Sequence, residues 1–180
     1  VSAAFITSMI KTNLDMRKRD LISPALFLEK LQNKMLPLLS DKYFTAFYCV
    51  LNTRSKILTY SNAAHLPQLL YRAAKDDVEV ISLPSSLIGL YKANDGFPEK
   101  SIKVETNDRL FLFTDGIVDN YREKRTFANV FGQKRLIDLI LANKNQKSEA
   151  LIENLISSVK NFCGANNFSD DIAMILMEVL

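Results

Sequence analysis

The sequence predicts an α+β domain in which helices pack on largely antiparallel sheets. Two observations carry this: the hydrophobic period runs helix, strand, helix and finally strand, instead of alternating as in βαβ units, and short polar turns punctuate the strand-like middle. A third observation bounds the size. The 180 residues, 48% hydrophobic and 24% charged, suffice for a core that needs no metal or disulfide staple. No internal repeat, low-complexity tract or linker divides the chain, so residues 1–180 are expected to form one domain.

Residues 2–15 put Phe5, Ile6, Met9, Ile10 and Leu14 at helical spacing. Ser23 and Pro24 start a second helix, because serine caps free N–H groups and proline fits the first turn. Leu28, Leu31 and Met35 continue its stripe, and the helix is expected to end near Pro37. Residues 44–51 are aromatic and β-branched, 52–56 polar, and 57–62 strand-like again, which reads as a β-hairpin. Further strands are expected over 68–72, 78–83, 101–105 and 109–114, with Thr106, Asn107 and Asp108 turning between the last two, so the middle reads as a meander. After Phe131 and Gly132 the helical period returns through Leu136, Ile137, Ile140 and Leu141. A last helix from Ser148 buries Leu151, Ile152, Leu155, Ile156, Val159 and Phe162, with Gly164 placed to stop it. Residues 172–180 form an apolar strand expected to enter the core of a sheet.

Composition excludes several functions. The 23 Lys+Arg and 20 Asp+Glu leave a net charge of +3, spread along the chain, where a nucleic-acid binder would show a basic stripe. The one basic cluster, Lys11 with residues 17–19, reads as a solvated helix end or loop. Cys49 and Cys163 stand apart with no CxxC spacing, which suggests packing roles in a reducing cytoplasm. No apolar run reaches the roughly 18 residues that span a bilayer, so no membrane contact by this chain is expected. The chain opens at Val1 inside a helical pattern, which suggests a piece of a longer polypeptide. A single histidine and no glycine-flanked serine argue against a hydrolase triad. GxGxxG and GxxxxGK[ST] are both absent, and with them their phosphate cradles.

What remains is carboxylates at strand ends. The apolar strand 110–113 runs into Thr114, Asp115 and Gly116, and Asp170 with Asp171 precedes the closing strand. Oxygen donors of this kind suit a hard divalent cation such as Mg²⁺ or Mn²⁺, and Gly116 would let the chain turn tightly beside it. Taken alone, each dipeptide reads more readily as a turn or a cap.

The combination is more specific. Residues 44–48 (FTAFY), 59–67 (TYSNAAHLP), 108–116 (DRLFLFTDG), 131–132 (FG) and 170–172 (DDI) resemble, in order and rough spacing, the bacterial SpoIIE/RsbU-like phosphatases. These belong to the metal-dependent protein phosphatase superfamily, similar to protein phosphatase 2C. The resemblance implies a four-layer αββα sandwich of two antiparallel sheets flanked by helices, with a Mn²⁺ or Mg²⁺ pair at one edge. It implies removal of phosphate from phosphoserine or phosphothreonine, with Asp115 and Asp170 as the metal ligands on which catalysis depends. Paired ions acidify a bridging water and steady an in-line displacement, so no protein nucleophile is required. Gly116, Asp119, Asp171 and His65 are candidates for the shell around those ligands, with simple solvation the equal alternative for Asp119 and Asp171. His65 matches the histidine of the family's N-A-G-H segment, with Ala64 in place of the glycine, and reads first as a hydrogen-bonded loop residue. Asn62 reads as satisfying turn backbone.

The same resemblance implies a phosphorylated anti-sigma-factor antagonist as substrate and an upstream sensor or receiver domain as regulator. One departure stands out. Family members carry a G-D-x-x-G-H-G segment just before the helix that opens here, and these 180 residues do not contain it. The chain as it stands is therefore expected to be weak or inactive and to lack the first strands of one sheet. An exposed edge of that kind invites pairing with a second copy, as a homodimer. A non-catalytic phosphatase-like binding module is the alternative function. A receiver or haloacid-dehalogenase layout would need alternating α and β elements, which do not appear.

Overall fold

The computed structural model describes residues 3–13, 21–39, 41–89, 96–122, 129–164, 168 and 170–180. Two compact units emerge, residues 1–65 with 83–104, and residues 66–82 with 105–180. Each holds one antiparallel sheet with helices, as the α+β reading expects.

In the first unit, α1 (Ala3–Asn13) and α2 (Pro24–Leu39) accompany a three-stranded sheet of order β1-β2-β5, built from β1 (Ala46–Asn52), β2 (Ile57–Ala63) and β5 (Glu99–Lys103). The expected hairpin forms, with Ala46 opposite Ala63 and Asn52 opposite Ile57. Asn52 Oδ1 accepts from Arg54 N and Ser55 N at 3.1 and 3.0 Å, which closes its turn. Leu28, Leu31, Met35 and Leu39 of α2 are buried against Ala63, Ile88 and Phe97, while Phe27 stacks on Tyr48 at 3.9 Å. The start of α2 is fully satisfied. Pro24 has no N–H, Glu99 Oε2 accepts from Ala25 N at 2.9 Å, Ser23 Oγ from Leu26 N at 3.4 Å, and Ser23 O from Phe27 N at 2.9 Å.

The helix ends near Pro37, as expected, with α2 continuing two residues past it to Leu39. Proline so near the C-terminus forfeits one backbone bond, and burial of Met35 and Leu39 on either side of it outweighs that loss. Of the basic cluster, residues 17–19 lie outside the described residues and Lys11 is exposed.

The second unit has a four-stranded sheet of order β4-β3-β6-β7, from β3 (Gln68–Arg72), β4 (Asp77–Ile81), β6 (Arg109–Phe113) and β7 (Met174–Glu178). Its helices are α3 (Asp115–Val118), α4 (Gly132–Ala142) and α5 (Ser148–Cys163). Leu136 and Ile140 of α4 and Leu151, Leu155 and Val159 of α5 are buried in one cluster with Leu69, Phe111 and Phe113 of the sheet. Gly164 ends α5 in the left-handed conformation, φ 65°, as expected. Asp108, expected only to help a turn, is buried at 2% exposure. Its carboxylate pairs with Arg72 at 2.8 Å and accepts from Ala73 N and Glu105 N.

The meander expectation is corrected. β5 returns to β2, and β6 inserts between β3 and β7. The reason lies in burial: β6 (RLFLF) is apolar on both faces and needs a neighbour on each side, whereas β5 (EKSIK) offers one apolar residue and suits an edge. β7 also differs from expectation. Among the described strands it is an edge, and while Met174 and Leu176 reach the core cluster, Ile175 stays 63% exposed. Both cysteines are half-buried and unbridged, with the Cys49 thiol pushed up to about 11 by burial, as packing residues behave.

Candidate functional site

The antiparallel pairing of β6 with β7 decides where the two acidic segments emerge. Phe113 lies opposite Met174, so the residues after β6 and those before β7 emerge at one end of the sheet. Thr114, next along, donates its N–H to Ala173 O at 3.0 Å and accepts from Ala173 N at its Oγ1, also at 3.0 Å. The same hydroxyl donates to Asp171 O at 3.3 Å. Thr114 therefore spends its side chain on tying the two segments together, not on capping α3.

Asp115 opens α3 and is exposed, with Oδ1 accepting from Gly116 N at 3.1 Å. Asp170 and Asp171 are exposed too, and Asp170 Oδ1 accepts from Asp171 N at 2.8 Å. Gly116 is required here, though not for the reason its sequence suggested. Its backbone is helical, without the positive φ of a tight glycine turn. Its missing Cβ instead makes room for the Asp171 carbonyl, which any side chain at position 116 would strike. The Gly116 carbonyl in turn accepts from the fully buried Asn120 amide. Asp119 caps the C-terminus of α3 through its N–H to Asp115 O, at 2.7 Å.

His65 belongs to the first unit. Its Nδ1 lies 2.9 Å from Thr45 Oγ1, its N–H donates to Asn62 Oδ1 at 3.1 Å, and its carbonyl accepts from Asn62 Nδ2 at 3.0 Å. Asn62 Nδ2 also donates to Leu83 O at 3.0 Å, so the loop reading of both residues holds. Ala64 between them takes φ 50°, in the left-handed region that glycine favours.

Gln68 and Asn120 escaped the sequence reading. Gln68, 1% exposed at the head of β3, accepts at Oε1 from Phe113 N at 2.7 Å, and its Nε2 donates to Leu66 O at 2.9 Å and Phe113 O at 3.4 Å. A lone amide leading the apolar run Leu69, Leu70 and Tyr71 was the available signal. Both amides fix the backbone that carries Asp115.

Asp115, Asp170 and the Asp171 carbonyl are oxygen donors at one exposed edge, and that chemistry fits a hard divalent cation. The number of donors falls short of a complete shell. Among the described residues no three His, Cys, Asp or Glu side chains are grouped to hold an ion. Asp115 and Asp170 would be its protein ligands, and when bound it would acidify a water and hold phosphoryl oxygens.

Comparison with known proteins adds the family. The profile described as Stage II sporulation protein E (SpoIIE) matches residues 1–180. The phosphoserine phosphatase RsbP of Bacillus subtilis (strain 168) is 24% identical over 184 residues, which cover 99% of this chain and 43% of that protein. Among solved structures, the SiaA-PP2C domain of Pseudomonas aeruginosa superposes with a TM-score of 0.81 at 18% identity, covering 97% of this chain and 69% of that one. The RsbU and RsbW domains of Rv1364c from Mycobacterium tuberculosis give 0.75 at 21% identity, covering 98% and 48%. These likenesses establish the fold, and the chain spans less than half the length of RsbP.

Proposed function

The chain belongs to the SpoIIE family, and from that membership we propose that the protein carrying it is a metal-dependent serine/threonine phosphatase, hydrolysing phosphoserine or phosphothreonine on an anti-sigma-factor antagonist. The observation that carries this reading is the stitching of the Asp115 and Asp170 segments through Thr114 and Gly116 at one sheet end. Mn²⁺ or Mg²⁺ is the proposed cofactor, with Asp115 and Asp170 as ligands and Asp119 and Asp171 orienting water around them. Asp115 and Asp170 alone leave most of an ion's coordination to other groups. The two units are read as one phosphatase domain. A regulatory sensor or receiver domain and a cytoplasmic setting complete the proposal, and among the described residues no helix is long and apolar enough to cross a membrane.

The alternative is a phosphatase-like binding module. It is favoured by the way Asp115 and Asp170 each turn an oxygen to an adjacent backbone N–H. Mn²⁺-dependent phosphate release from a phosphoserine protein separates the two readings, comparing the full-length protein with residues 1–180. Release by the full-length protein, lost with chelator and in Asp115→Asn and Asp170→Asn, is the expected result. Absence of release, or release untouched by both substitutions, rejects the catalytic assignment.

A further inference from the structure

The second unit carries two arginines on one aromatic ring. Arg122 follows α3, Arg135 lies on α4, and Phe162 sits in the last turn of α5. The guanidinium carbons of Arg122 and Arg135 stand 4.4 and 4.9 Å from the Phe162 ring centroid. Phe131, buried in the core, meets the same ring edge-on at 5.4 Å and fixes it in place. Both arginines are exposed.

Stacking on a ring uses the face of a guanidinium and leaves its N–H edge free to bind an anion. Arg135 commits Nη1 to the carbonyls of Val130 and Phe131, each at 2.8 Å, which orients its remaining donors. Among the described residues no carboxylate pairs with either arginine, and Asp138 on α4 is taken by Lys134 at 2.8 Å. Among the described residues the pair is thus a double positive charge with no carboxylate partner, and its seating on the ring lowers the entropy lost when an anion binds. A charge held by an aromatic ring keeps its donors for a partner, whereas a surface ion pair consumes them.

We propose that Arg122 and Arg135, mounted on Phe162, dock a carboxylate-rich segment of the phosphoprotein substrate. This rests on the phosphatase reading above. Two adjacent guanidiniums match the spaced carboxylates of an acidic peptide. A nucleic acid would call for a longer basic stripe than two arginines.

The test is fluorescence anisotropy of a short labelled Glu/Asp-rich peptide, free of phosphate and added to this chain without metal. Arg122→Glu is expected to weaken binding about tenfold or more, and Arg122→Lys, which keeps the charge and loses the stacking plane, by less. Lys134→Glu, next to Arg135 in the helix but paired with Asp138, is expected to bind as the parent does. Circular dichroism confirms that the exposed substitutions leave the fold intact. Equal binding by Arg122→Glu overturns the proposal, as does an equal loss in Lys134→Glu. Tighter, Arg122-dependent binding of a labelled single-stranded RNA also overturns it, in favour of nucleic acid. The assay involves no turnover, so Arg122-dependent binding beside absent phosphate release would sink the phosphatase reading alone. Release without Arg122-dependent binding would sink the docking site alone.

Discussion

Gln68 holds both backbone polar groups of Phe113, accepting from its N–H at 2.7 Å and donating to its carbonyl at 3.4 Å. The β3–β6 ladder pairs Leu69 with Phe111, and two positions beyond its end the same register sets Pro67, which has no N–H, opposite Phe113. The glutamine side chain supplies what that ladder position lacks. Gln68→Leu keeps the volume and strips both bonds from the buried end of the ladder. A loss of about 2 kcal/mol in urea unfolding is expected. A loss near zero would mean that water or a backbone shift satisfies Phe113 instead.

Ala64 occupies φ 50° where the resembled family has glycine. A left-handed alanine is strained by roughly 1 kcal/mol, only part of which is returned by the greater freedom of an unfolded glycine. Ala64→Gly should therefore raise the melting temperature slightly. An unchanged or lower value would show that the gain in unfolded-state entropy matches the strain relieved.

Gly116→Ala drives a Cβ into the Asp171 carbonyl, a backbone atom that cannot swing aside. Separation of the 170–171 segment from α3 follows, with a destabilisation on the order of 1–3 kcal/mol. Mn²⁺ affinity, read by isothermal titration, should fall with it. Retained affinity would detach the metal proposal from this close approach.

The Glu178 carboxyl is held below its ordinary value of 4.5 mainly by the Ser148 hydroxyl, with burial opposing and the Arg109 charge assisting. A depressed carboxylate stabilises the fold fully above its unfolded value, and the contribution disappears as pH falls through the lower folded one. Urea midpoints of the parent and Glu178→Gln should differ at neutral pH and converge in acid below pH 4.5. Constant separation down to low pH would remove Glu178 from the acid response.

Helices α1, α2, α4 and α5 were legible because their stripes report local burial, and the β1–β2 hairpin because its turn is written in adjacent residues; the four-residue α3 is too short to carry a stripe. The pairing of β5 with β2 was not, since periodicity within one strand says which faces are buried and nothing about its neighbour. Asp115 and Asp170 were readable as strand-end carboxylates. What joins them, the Thr114 hydroxyl and the missing Cβ of Gly116, depends on atoms more than fifty residues apart. The Phe162 platform was hidden for a simpler reason: an aromatic on a helical stripe reads as core, whichever cations lie over its outer face.

The cap on α2 has its own consequence for how the first unit opens. Ala25 N donates to Glu99, a residue of the edge strand β5 and distant in the chain. The first turn of α2 is therefore complete only while β5 is docked on β2. Amide hydrogen exchange at Ala25 then becomes a gauge of the strand, not of the helix that contains it, and the two should lose protection as one cooperative unit.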